Sequence, residues 1–537
     1  MQNIVFKKTG NFVFLVGGLF FAGSAGIAFA FSGKWLLRTP VLLMPAVLVG
    51  ILAFGAIWYF FLKTALRGIE KHGYAKTAIL ICAVAFLSRI AAGCILSALN
   101  YTMVSDYLYA HDAATGAVKA IPAVPITDYF RQRGEFIHFM YATYWGHHIG
   151  LLHFLSRFFG HCMFLNNLLN AIADTGVVWL VMSMTSTLFR SRKAAVTAAV
   201  IYALFPTSII CCNWFSGEFL GVALLVLGIW CLLEVLPPWC EGRSSGKIKK
   251  FIFAVIAGIS LGASNMMKPI AIVVFVTFLV FEAGRFLCGS SAPGSRWKPL
   301  LKNLILIFVA AGASLSTALV LKKGYERYTG YREFPSPMAA TLFVGLNPEY
   351  RGMYNKKLSE LCISLAQEFN GDPAKIDAYY RAALKRNLKK SWKKLPVMFV
   401  HKTVLIFGSE SWPVDRIASG LKTRCPGFRK SFVGLLSYQW CNLYYAVILC
   451  GVAAVFFFIG IRKRRLPGQV LLWLSIVMGT GMQMVVEAQP RYRVSLLNPL
   501  MAMAAGYGLI MTCRLASRRI SGKKAKNAPA ASARSDL

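Results

Sequence analysis

Acidic side chains are scarce in this chain, 21 Asp+Glu among 537 residues. The few that fall in polar stretches between apolar blocks are therefore candidates for acid–base chemistry. Asp106 lies in Val104-Ser105-Asp106-Tyr107-Leu108-Tyr109-Ala110, just beyond an apolar block. A carboxylate there can take the proton of an attacking hydroxyl, the general-base role. In a helical segment it would share a face with Tyr109, Ala110 and Ala113. A helix cap or a solvated loop residue is the competing reading. Asp112 and Glu135 are further candidates in the same polar stretch. A second cluster, Glu487-Ala488-Gln489-Pro490-Arg491-Tyr492-Arg493, separates the last two apolar blocks. The planar fork of arginine pairs with phosphate oxygens bidentately, and a low-dielectric interface strengthens the pair. Arg491 can thus hold a lipid phosphate, with Glu487 positioning it. The alternative is an arginine snorkelling at a helix end and paired with Glu487 for structure. Glu218, after Asn213-Trp214-Phe215-Ser216-Gly217, and Lys268, in Asn265-Met266-Met267-Lys268-Pro269, stand at ends of apolar blocks. Ionisable groups at that depth mark functional sites, and interfacial anchoring is the competing reading.

These residues must be positioned by membrane helices. The chain is 57% hydrophobic and 15% charged, too apolar for a soluble protein of this length. The apolar residues come in blocks of about 20, the length a helix needs to cross the hydrocarbon layer. Soluble multidomain and disordered chains are excluded by that pattern. We expect an all-α polytopic membrane protein with about 12 transmembrane helices. They are placed near 11–31, 39–62, 76–97, 162–189, 194–213, 217–236, 251–267, 269–287, 303–321, 443–461, 469–487 and 494–513. Lys7 and Lys8, an apolar run and Ala28-Phe29-Ala30 imitate a signal peptide. The run is longer than a usual signal core and more segments follow, so a retained first helix is expected.

Orientation follows from the cations of the short loops. Lys63, Arg67, Lys71 and Lys76, then Arg190, Arg192 and Lys193, then Arg243, Lys247, Lys249 and Lys250, then Arg296, Lys298 and Lys302, and then Arg462-Lys463-Arg464-Arg465 all fall on one side. Both termini are therefore expected in the cytoplasm and the protein in the plasma membrane. Two large outer loops result. The first, 100–161, holds an amphipathic stretch at 141–159 that suits an interfacial helix. The second, 322–442, is rich in Lys and Arg, which long loops tolerate. Within it 394–408 is apolar but short for a span. The expected divisions are 1–321 with the first loop, the region 322–442, the helices of 443–515, and a basic disordered tail over 516–537.

The net charge is +38. Because the cations flank apolar blocks, topology and anionic headgroups account for many of them, and a lipid phosphate suits them as a ligand. No nucleic-acid partner is expected. Most of the 13 Cys lie inside apolar blocks and read as small core hydrophobes. Cys362, Cys425 and Cys441 leave a disulfide open, without spacing to support one. His147-His148 and His161 make no metal-ligand pattern, so no metal site is assigned. HExxH and a phosphate-binding glycine loop are missing, which leaves metalloprotease and P-loop ATPase chemistry unsupported. No internal repeat is visible, which weighs against a transporter of duplicated halves.

Three segments together resemble a known family. They are Ser105-Asp106-Tyr107-Leu108-Tyr109-Ala110; the run from Leu165-Asn166-Asn167-Leu168-Leu169-Asn170 through Leu204-Phe205-Pro206-Thr207 to Glu218; and Glu487, Arg491-Tyr492 and Pro499. They look like polytopic glycosyltransferases of the GT-C fold, especially bacterial relatives of the protein O-mannosyltransferases (family 39); the lipid A aminoarabinose transferase is another relative. The resemblance implies transfer of a sugar from a polyprenyl-phosphate donor to an acceptor glycan, lipid or protein on the outer face, with inversion. It implies Asp106 as general base and Arg491 and Lys268 as holders of the donor phosphate, with Glu487 and Tyr492 beside them. No soluble cofactor is implied; a divalent metal could assist, though no ligand set is visible. Many protein mannosyltransferases have two adjacent acidic residues where this chain has Asp106-Tyr107, a departure that leaves the acceptor open. The second loop, from Gly345-Leu346-Asn347-Pro348-Glu349 to Arg351-Gly352-Met353-Tyr354-Asn355, also resembles bacterial members. A transporter or flippase of lipid-linked saccharides, and a polysaccharide polymerase or ligase, are the alternatives.

Overall fold

A computed structural model describes residues 2–37, 39–103, 107–108, 111, 146–159, 162–237, 239, 246–288, 293–329, 338–369, 372–422, 424–461 and 467–526. Among them the regular structure is helical and there is no strand. In chain order the helices are α1 Gln2–Leu37, α2 Met44–Lys71, α3 Tyr74–Ala98, α4 Gly146–Phe159, α5 Cys162–Phe189, α6 Arg192–Ala203 and α7 Pro206–Cys211. Then come α8 Glu218–Val235, α9 Lys247–Met267, α10 Ala271–Cys288 and α11 Pro293–Thr329. The long polar region holds α12 Met338–Gly345, α13 Lys356–Glu368, α14 Pro373–Ser391, α15 Leu395–Phe407 and α16 Trp412–Gly420. The chain closes with α17 Phe432–Ile461, α18 Pro467–Val485 and α19 Leu497–Lys526.

Ten helices among the described residues (α1, α2, α3, α5, α8, α9, α11, α17, α18 and α19) are long and apolar enough to cross a membrane. The protein is thus a multi-pass membrane protein. α2 turns Val49, Leu52, Ile57 and Phe60 outward, each more than 60% exposed, a face only lipid can cover. The two other expected segments are α6 with α7, and α10. Segment 194–213 is broken: α6 stops at Ala203 and α7 restarts at Pro206, because proline has no N–H for the ladder and disfavours a helical residue before it. Every residue of α6 from Ala194 to Ala203 is buried. The expected 269–287 is α10, 18 residues long.

Contacts between distant segments define two ends of the bundle. At one end Lys193 Nζ pairs with Glu70 at 3.2 Å. There Tyr74 OH donates to the Met182 carbonyl at 3.3 Å, and Phe189 stacks on Tyr507 at 4.1 Å. At the other end Thr102 Oγ1 donates to the Gly420 carbonyl at 2.8 Å and Lys268 pairs with Glu218 at 3.2 Å. α5 therefore leaves the second end, α6 returns to it, α8 leaves and α9 returns. Arg192 and Lys193 gather at the first end, as the short-loop charges predict. α9 and α11 come close through Gly258 and Gly262, where a Cβ would strike the Ala310 and Ser314 carbonyls. This small-residue spacing lets membrane helices approach backbone to backbone.

α15 covers the apolar stretch 394–408 with 13 residues, roughly 20 Å long, short of the hydrocarbon layer. The amphipathic stretch 141–159 is α4 from Gly146 onward; 141–145 lie outside the described residues. α11 and α17 reach further into the second loop than the expected 322–442, to Thr329 and from Phe432. α19 continues as helix to Lys526, past 516 where the tail was expected to begin; its Arg, Lys, Leu and Ala are good helix formers. Cys362, Cys425 and Cys441 are free thiols.

Candidate functional site

Glu218, Lys268, Glu487, Arg491 and Tyr492 come from three separate parts of the chain and meet at the second end of the bundle. Each is set by its local backbone. Glu218 opens α8, a position where the unpaired N–H groups of the first turn favour a carboxylate. Its own N–H donates to Ser216 Oγ at 3.0 Å. The preceding turn is held from α5: Asn166 Nδ2 donates to the Trp214 carbonyl at 2.9 Å. Asn170 Nδ2 donates to the Cys212 and Ser216 carbonyls at 3.1 and 3.0 Å. Lys268 caps the end of α9, where Pro269 stops the helix. Pro490 begins a short 3-10 turn, Pro490–Arg493, that carries Arg491 and Tyr492 between α18 and α19.

Lys268 Nζ donates to Glu218 Oε1 at 3.2 Å and lies over the Tyr492 ring at 4.3 Å. The Arg491 guanidinium lies 5.5 Å from the same ring and 5.7 Å from the Tyr107 ring. Its Nη1 donates to Tyr107 OH at 3.4 Å. Tyr492 OH donates to Glu487 Oε2 at 3.1 Å, and Gln489 Nε2 donates to Glu487 Oε1. Two cations thus lie within cation–π range of the Tyr492 ring. Tyr107 in turn packs on Trp214 at 4.9 Å, and Trp214 on Trp412 at 5.3 Å.

Burial acts on these groups unequally. It raises the Tyr107 phenol well above its ordinary range against the opposing Arg491 charge. It raises Tyr492 likewise, helped by Glu487. Both hydroxyls are therefore neutral donors at neutral pH. Burial holds the Lys268 ammonium below its ordinary range, with Glu218 opposing and Arg491 adding to the shift. Two cations, two carboxylates and two neutral hydroxyls thus gather at one end of a membrane bundle, and the cations can pair with an anion carrying several oxygens. Among the described residues no group of three or more His, Cys, Asp or Glu gathers as metal ligands.

Asp106, Asp112 and Glu135 lie outside the described residues. Tyr107, next to Asp106 in the chain, belongs to the cluster, although in sequence it stood out only as a departure from an acidic pair. The buried network beneath the site was also missed. Lys402, fully buried in α15, donates to the carbonyls of Gly345 at 2.9 Å and Met484 at 2.7 Å, and to that of Val486. An ionisable residue inside the apolar run 395–407 was a readable signal. Arg493 pairs with Glu410, both inside the bundle. Nothing in their spacing, 83 residues apart, announces the pair.

No protein-family model matches the chain, and no curated protein sequence matches it. Among solved structures, the chain is similar to the Archaeoglobus fulgidus oligosaccharyltransferase crystallised with zinc and sulfate. The identity is 15% and the TM-score 0.45, over 82% of this chain and 50% of that one. It is similar to the apo form of the same protein at 14% identity and a TM-score of 0.46, over 83% and 52% of the two chains. A third structure of that protein, tethered to an acceptor peptide containing the NVT sequon, matches at 14% identity and a TM-score of 0.45, over 83% and 50%. This chain spans about half the length of that protein.

Proposed function

We propose that the chain is a membrane glycosyltransferase of the GT-C type. It transfers a sugar from a polyprenyl-phosphate donor to an acceptor glycan, lipid or protein on the outer face of the plasma membrane. One observation carries the reading. Glu218, Lys268, Glu487, Arg491 and Tyr492, chosen from the sequence, converge with Tyr107 at the end of the bundle away from the basic short loops.

The chemistry follows from the charges. Asp106 takes the proton of the acceptor hydroxyl as its oxygen attacks the anomeric carbon, and the bond from that carbon to the phosphate oxygen breaks. The bonding pair leaves on the carrier phosphate, so negative charge grows there in the transition state. A cation fixed at that place binds the transition state more tightly than the ground state. Arg491, near the rings of Tyr107 and Tyr492, fills that role with Lys268, which Glu218 orients. The products are the glycosylated acceptor, polyprenyl phosphate and a proton passed from Asp106 to water. The donor sugar is open, and so is the choice among acceptors.

The test is a transfer assay with purified protein, a panel of polyprenyl-phosphate sugars, and glycan, lipid and peptide acceptors. We expect transfer from one donor class, and for Asp106→Asn a loss of roughly 10²–10⁴-fold with normal folding. Translocation of the donor without any transfer would instead identify a flippase, and an Asp106→Asn variant at wild-type rate would remove the base.

A further inference from the structure

Lys402 is the one buried ammonium in the described structure that no sequence pattern assigned to the site, and its surroundings tie two distant segments together. Its side chain is fully buried. An ammonium has three donors, and here they meet three carbonyls: Gly345, at the end of α12, and Met484 and Val486, at the end of α18. The last carbonyls of a helix lack partners within it, so a lysine there is a cap in part. Gly345 is not part of that helix, and capping α18 does not account for it.

The contact continues on both sides of Lys402. Ala488 N–H donates to the Gly352 carbonyl at 2.8 Å, so the residue after Glu487 is pinned to the same loop. A Cβ at Gly345 would strike the Val485 and Val486 backbone. Gly352 has φ +68°, and a Cβ there would meet the Lys402 side chain at 2.8 Å and the Gly345 carbonyl at 3.0 Å. Both glycines are thus required by close approach, and Gly352 also by its left-handed backbone. Residues 484–488 are fastened by Lys402 and Gly352, and this stretch delivers Glu487, whose carboxylate takes the Tyr492 hydroxyl. Tyr492 is the ring that both Lys268 and Arg491 approach.

We infer that Lys402 is a positioning residue for the donor-phosphate site: through the 484–488 backbone it docks the 345–352 loop against the Glu487–Arg491 turn, and that docking sets the geometry of Tyr492 and Arg491. The inference rests on the proposed glycosyltransferase reading. The second loop is then a part of donor binding, and loosening Lys402 weakens the donor complex before it weakens the fold.

The test measures donor KM and kcat separately for Lys402→Met and Gly352→Ala, with Arg491→Ala as the direct probe of the phosphate site. Asp174→Asn, in the buried pair with Arg89, is the control for destabilisation alone. We expect donor KM to rise roughly 10- to 100-fold in the first two variants, with kcat close to wild type and no rise in Asp174→Asn. If Arg491→Ala raises donor KM and the two positioning variants do not, the inference falls and the glycosyltransferase reading stands. If Asp174→Asn raises it as much as they do, the effect is destabilisation and the inference also falls. If Arg491→Ala leaves both donor KM and kcat/KM unchanged, the phosphate site itself is wrong and both fall. Should Lys402→Met fail to fold, Gly352→Ala decides by the same criteria.

Discussion

Arg491 and Arg493 stand two residues apart in one 3-10 turn and lead into different surroundings. Arg493 is fully buried: it pairs with Glu410, donates to the carbonyls of Ile406 and Ser409, and lies over the Tyr445 ring at 4.3 Å. Glu410 also accepts from Thr207 Oγ1, and its N–H donates to Asn442 Oδ1 at 2.9 Å. The network joins α7, the α15–α16 connection, α17 and the 3-10 turn before α19. Arg491 instead lies near the rings of Tyr107 and Tyr492, beside the largely buried pair of Lys268 and Glu218. The same pattern as Arg493 recurs deeper in the bundle, where Arg89 Nε meets Asp174 Oδ2 at 2.7 Å and Tyr202 OH donates to the other oxygen at 2.7 Å. Both arginines are buried, but Arg493 is matched to a carboxylate, whereas Arg491 meets aromatic rings beside a second cation, which is the setting the proposed donor-phosphate site requires.

The comparison can be broken most sharply at Arg493. Truncating one partner of a buried ion pair strands the other charge, at a cost of about 3–5 kcal/mol. Arg493→Ala should therefore lower Tm strongly in a thermal melt, while folded protein keeps its donor KM. A variant with normal Tm but impaired donor use would reverse the roles of the two arginines. Arg491→Ala should do the opposite. We expect a fall in kcat/KM for the donor of about 10²-fold, equivalent to about 2.7 kcal/mol, with Tm nearly unchanged; steady-state kinetics beside a melt decide it.

A smaller effect tests the support beneath the site. His148 in α4 is buried, with Nε2 3.1 Å from Asn166 Oδ1, and burial lowers its pKa to about 4. The unfolded chain, with an ordinary histidine near 6.5, binds a proton that the folded protein refuses over this window. Stability is thus greatest above about pH 6.5 and falls as pH drops toward 4, by about 2 kcal/mol between pH 7 and 5. The measurement is Tm against pH for wild type and His148→Gln; identical slopes would show that another group titrates.

Much of this was legible in the sequence because helix formation and membrane insertion are local. Apolar length and flanking cations located most spans, and Pro269 marked the end of α9, whereas Pro206 falls inside the expected span 194–213 that it breaks. Glu218, Lys268, Glu487 and Arg491 stood out because ionisable residues are rare beside apolar blocks. Less legible was what each charge does. Arg491 and Arg493 share a type, a turn and a neighbourhood in the chain, yet one meets aromatic rings and the other a carboxylate 83 positions earlier. Lys402 lay in plain view within an apolar run, but its three carbonyl partners come from two other segments.

The amino-acid order alone determined that this chain crosses a membrane many times and which side chains carry charge into it, since hydrophobic length and the cost of burying ions act residue by residue. The tertiary structure decided which of those charges meet, and whether each meets an aromatic ring, a carboxylate or a carbonyl. Pairing depends on close approach between segments far apart in the chain, and no local pattern encodes that distance.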